Sequence, residues 1–158
     1  MPEKKQYRVE EFMSTKVTTL HEDATIADAI QKMLRHKTNG LVIVDKNKKV
    51  VGILSSWDII EYVVPDYLEE DKHLATFESG KMFEKRVRDI ANHSIAECMT
   101  SRVHTIKPDH TLIEAATLLS EFHIRQLPVV DQDGILIGYI NRTDIKRAMG
   151  EVLGLTED

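Results

Sequence analysis

Two segments of this 158-residue chain share a spacing suited to hydrogen-bonding chemistry: Ser55-x-x-Asp58 and Asn141-x-x-Asp144. Each follows an apolar, β-branched run, Val50 to Leu54 in one case and Leu136 to Ile140 in the other. Each therefore reads as a buried strand feeding directly into a helix N-terminus. A Ser or Asn at the N-cap, with an Asp three residues on, satisfies amides that a helix start leaves unpaired, and capping alone accounts for both pairs. Covalent and metal chemistry have less support. The histidines, His21, His36, His73, His93, His104, His110 and His123, are scattered, without the close-spaced Cys or carboxylate partners of a zinc site. No Ser or Cys nucleophile stands at a specific spacing from a base, and no Gly-x-x-x-x-Gly-Lys phosphate loop occurs. Glu69-Glu70-Asp71 reads as a solvated acidic loop. The expectation is that the chain is not an enzyme.

The two segments lie 86 residues apart, and their surroundings repeat at the same interval. Met13 matches Met99, Asp23 matches Asp109, Thr25 matches Thr111, Ala29 matches Ala115, Asp45 matches Asp131 and Gly52 matches Gly138, without a gap. The chain is a tandem repeat. Its expected organisation is a tail over 1–8, a first unit over 9–63, a connecting insert over 64–94, a second unit over 95–150 and a tail over 151–158. A unit of roughly 50 residues buries little apolar surface alone, so two packed face to face about a pseudo-twofold axis is the expected arrangement.

Within each unit the pattern predicts strand, helix, strand, strand, helix, an α+β fold. Val17 to Leu20 reads as the first strand, and Thr25 opens a helix with a capping box and an apolar stripe of Ile26, Ala29, Ile30, Met33 and Leu34. Leu41 to Val44 and Val50 to Leu54 flank a polar turn, a hairpin pattern, and a helix from Ser56 to Val63 ends before Pro65. The second unit repeats this, with Thr111 at its helix start and Pro128 expected at the beginning of its strand. In the insert, Phe83, Val87, Ile90 and Ala91 predict a helix docked on the core, and 66–80 reads as a polar, mobile connection.

Composition narrows the partners. With 42% hydrophobic and 30% charged residues the chain is ordinary for a globular protein. A net charge of −5 argues against nucleic acid or an anionic membrane, both of which need clustered Lys and Arg. The N-terminal stretch lacks a secretory apolar segment and no run is long enough to span a bilayer, so the expected location is cytoplasmic. The single cysteine, Cys98, reads as a small buried hydrophobe.

The tandem units, the Leu-Pro-Val-Val-Asp run at Leu127 to Asp131 and the Gly-apolar-apolar-Ser-x-x-Asp stretch at Gly52 to Asp58 resemble cystathionine β-synthase (CBS) domains, present as a pair or Bateman module. The resemblance implies a regulatory module that binds adenosine-containing ligands, commonly AMP, ADP or ATP, in clefts between the units, with no cofactor required. In such pairs the Asp holds the ribose hydroxyls, while the nearby Ser or Thr and a basic residue approach the phosphate. The chemistry suits the residues: a carboxylate accepts two hydrogen bonds from a diol, and a helix N-terminus offers amides and partial positive charge to an anion.

Carried over residue by residue, the resemblance implies one cleft with Ile53, Ser55, Trp57 and Asp58 facing His110, Ala115, Ile124, Arg125 and Gln126. Here Arg125 supplies a cation, Trp57 an aromatic wall and small Ala115 room for a purine. The second candidate cleft has Tyr139, Asn141, Thr143 and Asp144 with Ala24, Ala29, Thr38, Asn39 and Gly40. It departs from the pattern in having Asn141 for Ser or Thr, and Asn39 and Gly40 where a cation would meet phosphate. A less charged ligand, or none, is expected there.

The resulting expectation is an adenine-nucleotide sensor whose ligand changes the packing or partner contacts of the units, read by a regulated enzyme or transporter in trans. The resemblance also implies a homodimer formed through amphipathic helices, with Met33, Trp57, Ile60 and Phe122 as apolar surface. The competing expectation is an interaction and dimerisation scaffold with vestigial clefts.

Overall fold

The computed structural model describes residues 5–70, 73 and 80–155. Thr25 begins the clearest helix: its Oγ1 accepts from the Asp28 amide at 3.2 Å, and Asp28 Oδ2 accepts from the Thr25 amide at 3.0 Å. This box opens α2 (Ile26–His36), which stops at Lys37 in the left-handed region. Ile26, Ala29 and Met33 of its stripe are buried, but Leu34 is 74% exposed. At about 100° per residue Leu34 falls roughly 80° from Ile26 around the helix, off the buried face, whereas Met33 falls within about 20°. Before α2 come α1 (Val9–Phe12) and β1 (Thr19–His21), and after it β2 (Gly40–Val44), β3 (Val50–Ser55) and α3 (Ser56–Val63). β1 runs parallel to β2 with Leu20 opposite Ile43, and the sheet order is β1-β2-β3. The sheet and helices close over Ile26, Ala29, Met33, Leu41, Ile43, Leu54, Ile59, Ile90 and Ile95.

The insert contributes α4 (Asp66–Glu70) and α5 (Gly80–Ile90). Thus the connection expected over 66–80 is helical in its first five residues, Glu69 and Glu70 included. Its remainder, Asp71 among it, lies outside the described residues apart from His73 and Gly80. α5 is anchored at one end only: Ile90 is buried, while Phe83, expected on the docked face, is 69% exposed. The anchor is polar as well as apolar, because Arg86 donates to the Val63 and Tyr62 carbonyls, both at 2.9 Å, and so caps the C-terminal end of α3.

The second repeat forms α6 (Leu112–Glu121), capped by Thr111, then β4 (Gln126–Val130), β5 (Leu136–Asn141) and α7 (Arg142–Val152). β4 and β5 are antiparallel. Its expected first strand shrinks to a single bridge, Ile106 to Val129. Two prolines account for this: Val42, whose amide donates to the Thr18 carbonyl at 3.1 Å, is matched by Pro128, which has no amide for the His104 carbonyl, and the other end is lost in the same way. In the first repeat the Glu22 amide extends the ladder to the Val44 carbonyl at 3.0 Å; the matched residue is Pro108, which has no amide to give the Val130 carbonyl. Pro128, expected at the start of its strand, sits in the middle, opposite Tyr139. It is tolerated because its carbonyl accepts from Ile106 at 3.0 Å. A strand residue's N–H and C=O point to the same side, so the missing amide faces that short bridge and not β5. Val9, Phe12, Ile106, Leu112, Ala115, Leu119, Leu127, Val129, Ile140 and Ala148 form this core.

The compact units are interleaved along the chain and do not coincide with the contiguous repeats. One comprises Thr18–Asp45 with Val51–Arg102; the other comprises the chain up to Val17, Lys46–Val50, and the chain from Val103 onward. Each repeat's opening segment is thus built into the other repeat's unit, by matched bonds. The Val9 amide donates to the His110 carbonyl at 2.8 Å, and the Ile95 amide, 86 positions on, to the Ala24 carbonyl at 3.1 Å. Ser14 and Tyr139 exchange two backbone bonds, as do Thr100 and Ile53, all at 2.9 Å. Gly138 and Gly52 leave room for this: a Cβ at Gly138 would lie 2.7 Å from the Ser14 carbonyl oxygen, and one at Gly52 2.8 Å from the Met99 sulfur.

Candidate functional site

Both Asp-bearing segments form complete capping boxes. Ser55 Oγ accepts from the Asp58 amide at 3.1 Å while Asp58 Oδ2 accepts from the Ser55 amide at 2.8 Å. Asn141 Oδ1 accepts from the Asp144 amide at 3.0 Å and Asp144 Oδ2 from the Asn141 amide at 2.9 Å. Asn141 therefore performs the cap as Ser55 does. What differs is the other carboxylate oxygen. Asp58 Oδ1 takes no hydrogen bond among the described residues, and its side chain is half-buried. Asp144 Oδ1 accepts from Arg147 Nη2 at 3.2 Å, and the residue is only 7% exposed. Burial pushes the Asp144 carboxyl above the usual carboxylate value of 3.8, against the opposing pull of the Asn141 amide and the Arg147 guanidinium.

Ile53, Ser55, Trp57 and Asp58 belong to one compact unit, and His110, Ala115, Ile124, Arg125 and Gln126 to the other. Trp57, on the first turn of α3, is 60% exposed. The half-buried Ile53 is held by its bonds to Thr100. On the second-repeat side Arg125 is exposed and makes no hydrogen bond or ion pair among the described residues, whereas His110 Nδ1 lies 3.0 Å from Glu114 Oε2. Ala115 is wholly buried in the core. Ile124 packs against that core, and Gln126 pairs in register with Asn141.

Of the second set, Ala29 is likewise a core residue with no exposed surface. Ala24 lends its carbonyl to Ile95, and Thr38 bonds locally to Gly40 at 3.1 Å and 3.3 Å. Asn39 lies at the start of α3, beside the first set's helix: its carbonyl accepts from the Ser56 amide at 2.9 Å and its Oδ1 from Ser56 Oγ at 3.2 Å. Tyr139 is held by Ser14, and Thr143 is exposed. Among the apolar residues expected on the surface, Trp57, Ile60 and Phe122 are exposed, but Met33 is buried under Ser56.

Sequence reasoning passed over a cavity of about 350 Å³ on the first-repeat unit, lined by Leu20, His21, Asp23, Ala24, Asp28, Gln31, Lys32 and Arg35. Its sequence signal was the polar face of α2, Asp28, Gln31, Lys32 and Arg35, at helical spacing. Asp28 there is held below the ordinary carboxylate value, chiefly by the Thr25 backbone amide and then by its side chain. Cys98 is half-buried against the first-repeat core; burial, then the charges of Asp58 and Glu97, push its thiol up to about 11. A thiol so disposed is protonated and unreactive near neutrality. Among the described residues no cluster of His, Cys, Asp and Glu is arranged to hold a metal, and no helix is long and apolar enough to cross a membrane.

The family profile of the CBS domain matches residues 9–65 and 87–151. An uncharacterized protein of Methanocaldococcus jannaschii, MJ1426, is 31% identical over 147 residues, covering 85% of this chain and 86% of its own. The crystal structure of CBSX2, a CBS-pair protein of Arabidopsis thaliana, in complex with AMP superposes with a TM-score of 0.71 at 27% identity, covering 93% of this chain and 98% of that one. The CBS domain pair of protein MJ0100, solved with 5′-methylthioadenosine and S-adenosyl-L-methionine, gives 0.67 at 27%, covering 92% and 97%.

Proposed function

The chain belongs to the CBS domain family as a tandem pair, and we propose that it is a regulatory module that binds an adenosine-containing ligand of the AMP, ADP or ATP type. Support for the ligand class comes from relatives at 27% identity that were solved with AMP, 5′-methylthioadenosine and S-adenosyl-L-methionine. One feature of this chain carries the reading: Asp58, at the start of α3, is half-buried, its Oδ1 takes no hydrogen bond among the described residues, and the residue before it, Trp57, is exposed. That oxygen accepts from a ribose hydroxyl, Trp57 offers a flat apolar face, and the α3 N-terminus favours anionic groups. Binding favours one arrangement of the chain over another, and a second copy, or an enzyme or transporter in trans, reads the shift.

Isothermal titration with AMP, ADP, ATP and S-adenosyl-L-methionine tests the reading. Wild type gives a binding isotherm with at least one of them, and Asp58→Ala weakens it by at least about tenfold, the loss expected for a charge-assisted hydrogen bond. Equal isotherms remove Asp58 from the site. A second reading, an interaction and dimerisation scaffold, draws on Trp57 and Ile60, exposed at neighbouring positions of α3. It is favoured if no nucleotide raises the melting temperature while sedimentation gives a dimer that Trp57→Glu dissociates.

A further inference from the structure

We infer that the chain holds a single adenosine-type ligand, at Asp58, and that Arg147 is what keeps the matched carboxylate, Asp144, from serving as a second site. The inference rests on the reading of Asp58 given above and concerns what distinguishes its two otherwise equal boxes. In each box one carboxylate oxygen is engaged by the N-cap amide, at 2.8 Å for Asp58 and 2.9 Å for Asp144, so the other oxygen holds the larger share of the group's accepting capacity. At Asp144 that oxygen accepts from Arg147 Nη2 at 3.2 Å. The same Nη2 donates to the Phe12 carbonyl at 3.0 Å.

An isolated ion pair three residues apart on a helix, with the Arg side chain 48% exposed, would yield easily to a ligand. This one is not isolated. The Phe12 carbonyl at the end of α1 holds the guanidinium in place, and the Asp144 side chain itself is only 9% exposed. A diol reaching the buried Asp144 would compete with a donor that answers the carboxylate's charge and that is tied to the Phe12 carbonyl. In the first repeat the position matched to Arg147 is Glu61, an acid that cannot donate to Asp58. One residue type, Arg against Glu in the first two turns of matched helices, thus closes one box and leaves the other open.

Calorimetric titration of the full chain with AMP, and separately with adenosine so that no phosphate term enters, tests this. The expected stoichiometry is one per chain for wild type, unchanged in Asp144→Asn and lost in Asp58→Ala. Arg147→Gln keeps an amide that can serve the Phe12 carbonyl but releases Asp144 Oδ1; its stoichiometry rises to two, whereas Arg147→Lys stays at one. Thermal melts of each variant confirm folding. A stoichiometry of one in folded Arg147→Gln overturns the role given to Arg147. Two ligands per wild-type chain, one of them lost in Asp144→Asn, overturns the single-site inference while leaving Asp58 a site. No binding of either probe to wild type overturns the inference, while the reading of Asp58 falls only if ADP, ATP and S-adenosyl-L-methionine give no isotherm either.

Discussion

The two repeats answer the same design with different residues at a few positions, and those positions decide what each repeat can do. Val42 donates to Thr18 and Glu22 to Val44, and the first repeat completes a three-stranded sheet; the matched Pro128 and Pro108 cannot donate, and the second keeps two strands and a bridge. Ser55 and Asn141 both close the capping box, yet Asp58 Oδ1 takes no hydrogen bond among the described residues where that of Asp144 accepts from Arg147. Helix starts survive substitution because their bonds close within three residues. Strand extent and carboxylate availability change because each depends on a partner from another element.

The sharpest way to break the symmetry is to give each repeat's close-approach glycine a methyl group. Gly138→Ala pushes a Cβ to 2.7 Å from the Ser14 carbonyl oxygen, a backbone atom in a two-bond exchange with Tyr139, and destabilises by about 1–3 kcal/mol. Gly52→Ala meets first the sulfur of Met99 at 2.8 Å, a flexible side chain that can swing aside, and a backbone atom, the Thr100 carbonyl oxygen, only at 3.2 Å, so it costs less than Gly138→Ala. Urea melts of the two variants measure the difference, and equal losses would mean the two crossings are equally rigid.

A smaller effect separates the carboxylates by pH. Asp144 is raised above 3.8 by burial, so the unfolded chain gives up this proton first as pH rises. Its contribution to native stability therefore falls from near pH 3.8 upward through its folded midpoint, and Asp144→Asn removes that part of the slope. Asp28, on the open face of α2, is lowered, and its contribution is present above 3.8 and lost as pH falls through its folded midpoint. Carboxyl carbon NMR titration places the Asp144 midpoint above 3.8 and that of Asp28 below it; the reverse order would contradict the roles given to burial and capping.

The smallest expected change comes from restoring one of the missing donors. In Pro108→Glu the new amide bonds to the Val130 carbonyl as Glu22 does to Val44, and hydrogen exchange at residue 108 slows. Net stability moves by less than about 1 kcal/mol, because the added bond is offset by the unfolded-state freedom that Pro108 had removed. Fast exchange at that amide would show that restoring this donor alone does not rebuild that end of the strand.

Much of the molecule is legible in the amino-acid sequence by itself. The repeat interval, the N-caps at Ser55, Thr25, Thr111 and Asn141, the bounds of α3 and the central strands all follow from patterns spanning a few residues, where local hydrogen bonds and side-chain period dominate. Tertiary structure alone decided the rest. It placed α1 in the core with Leu112 and Leu127, buried Ala29, Ala115 and Met33, turned Phe83 and Leu34 outward, and brought Arg147 to the carbonyl of Phe12, 135 residues away. Such contacts leave no local trace, because what a side chain touches depends on which distant segment fills the space beside it, and a four-residue helix such as α1 carries too little apolar pattern to announce its partner.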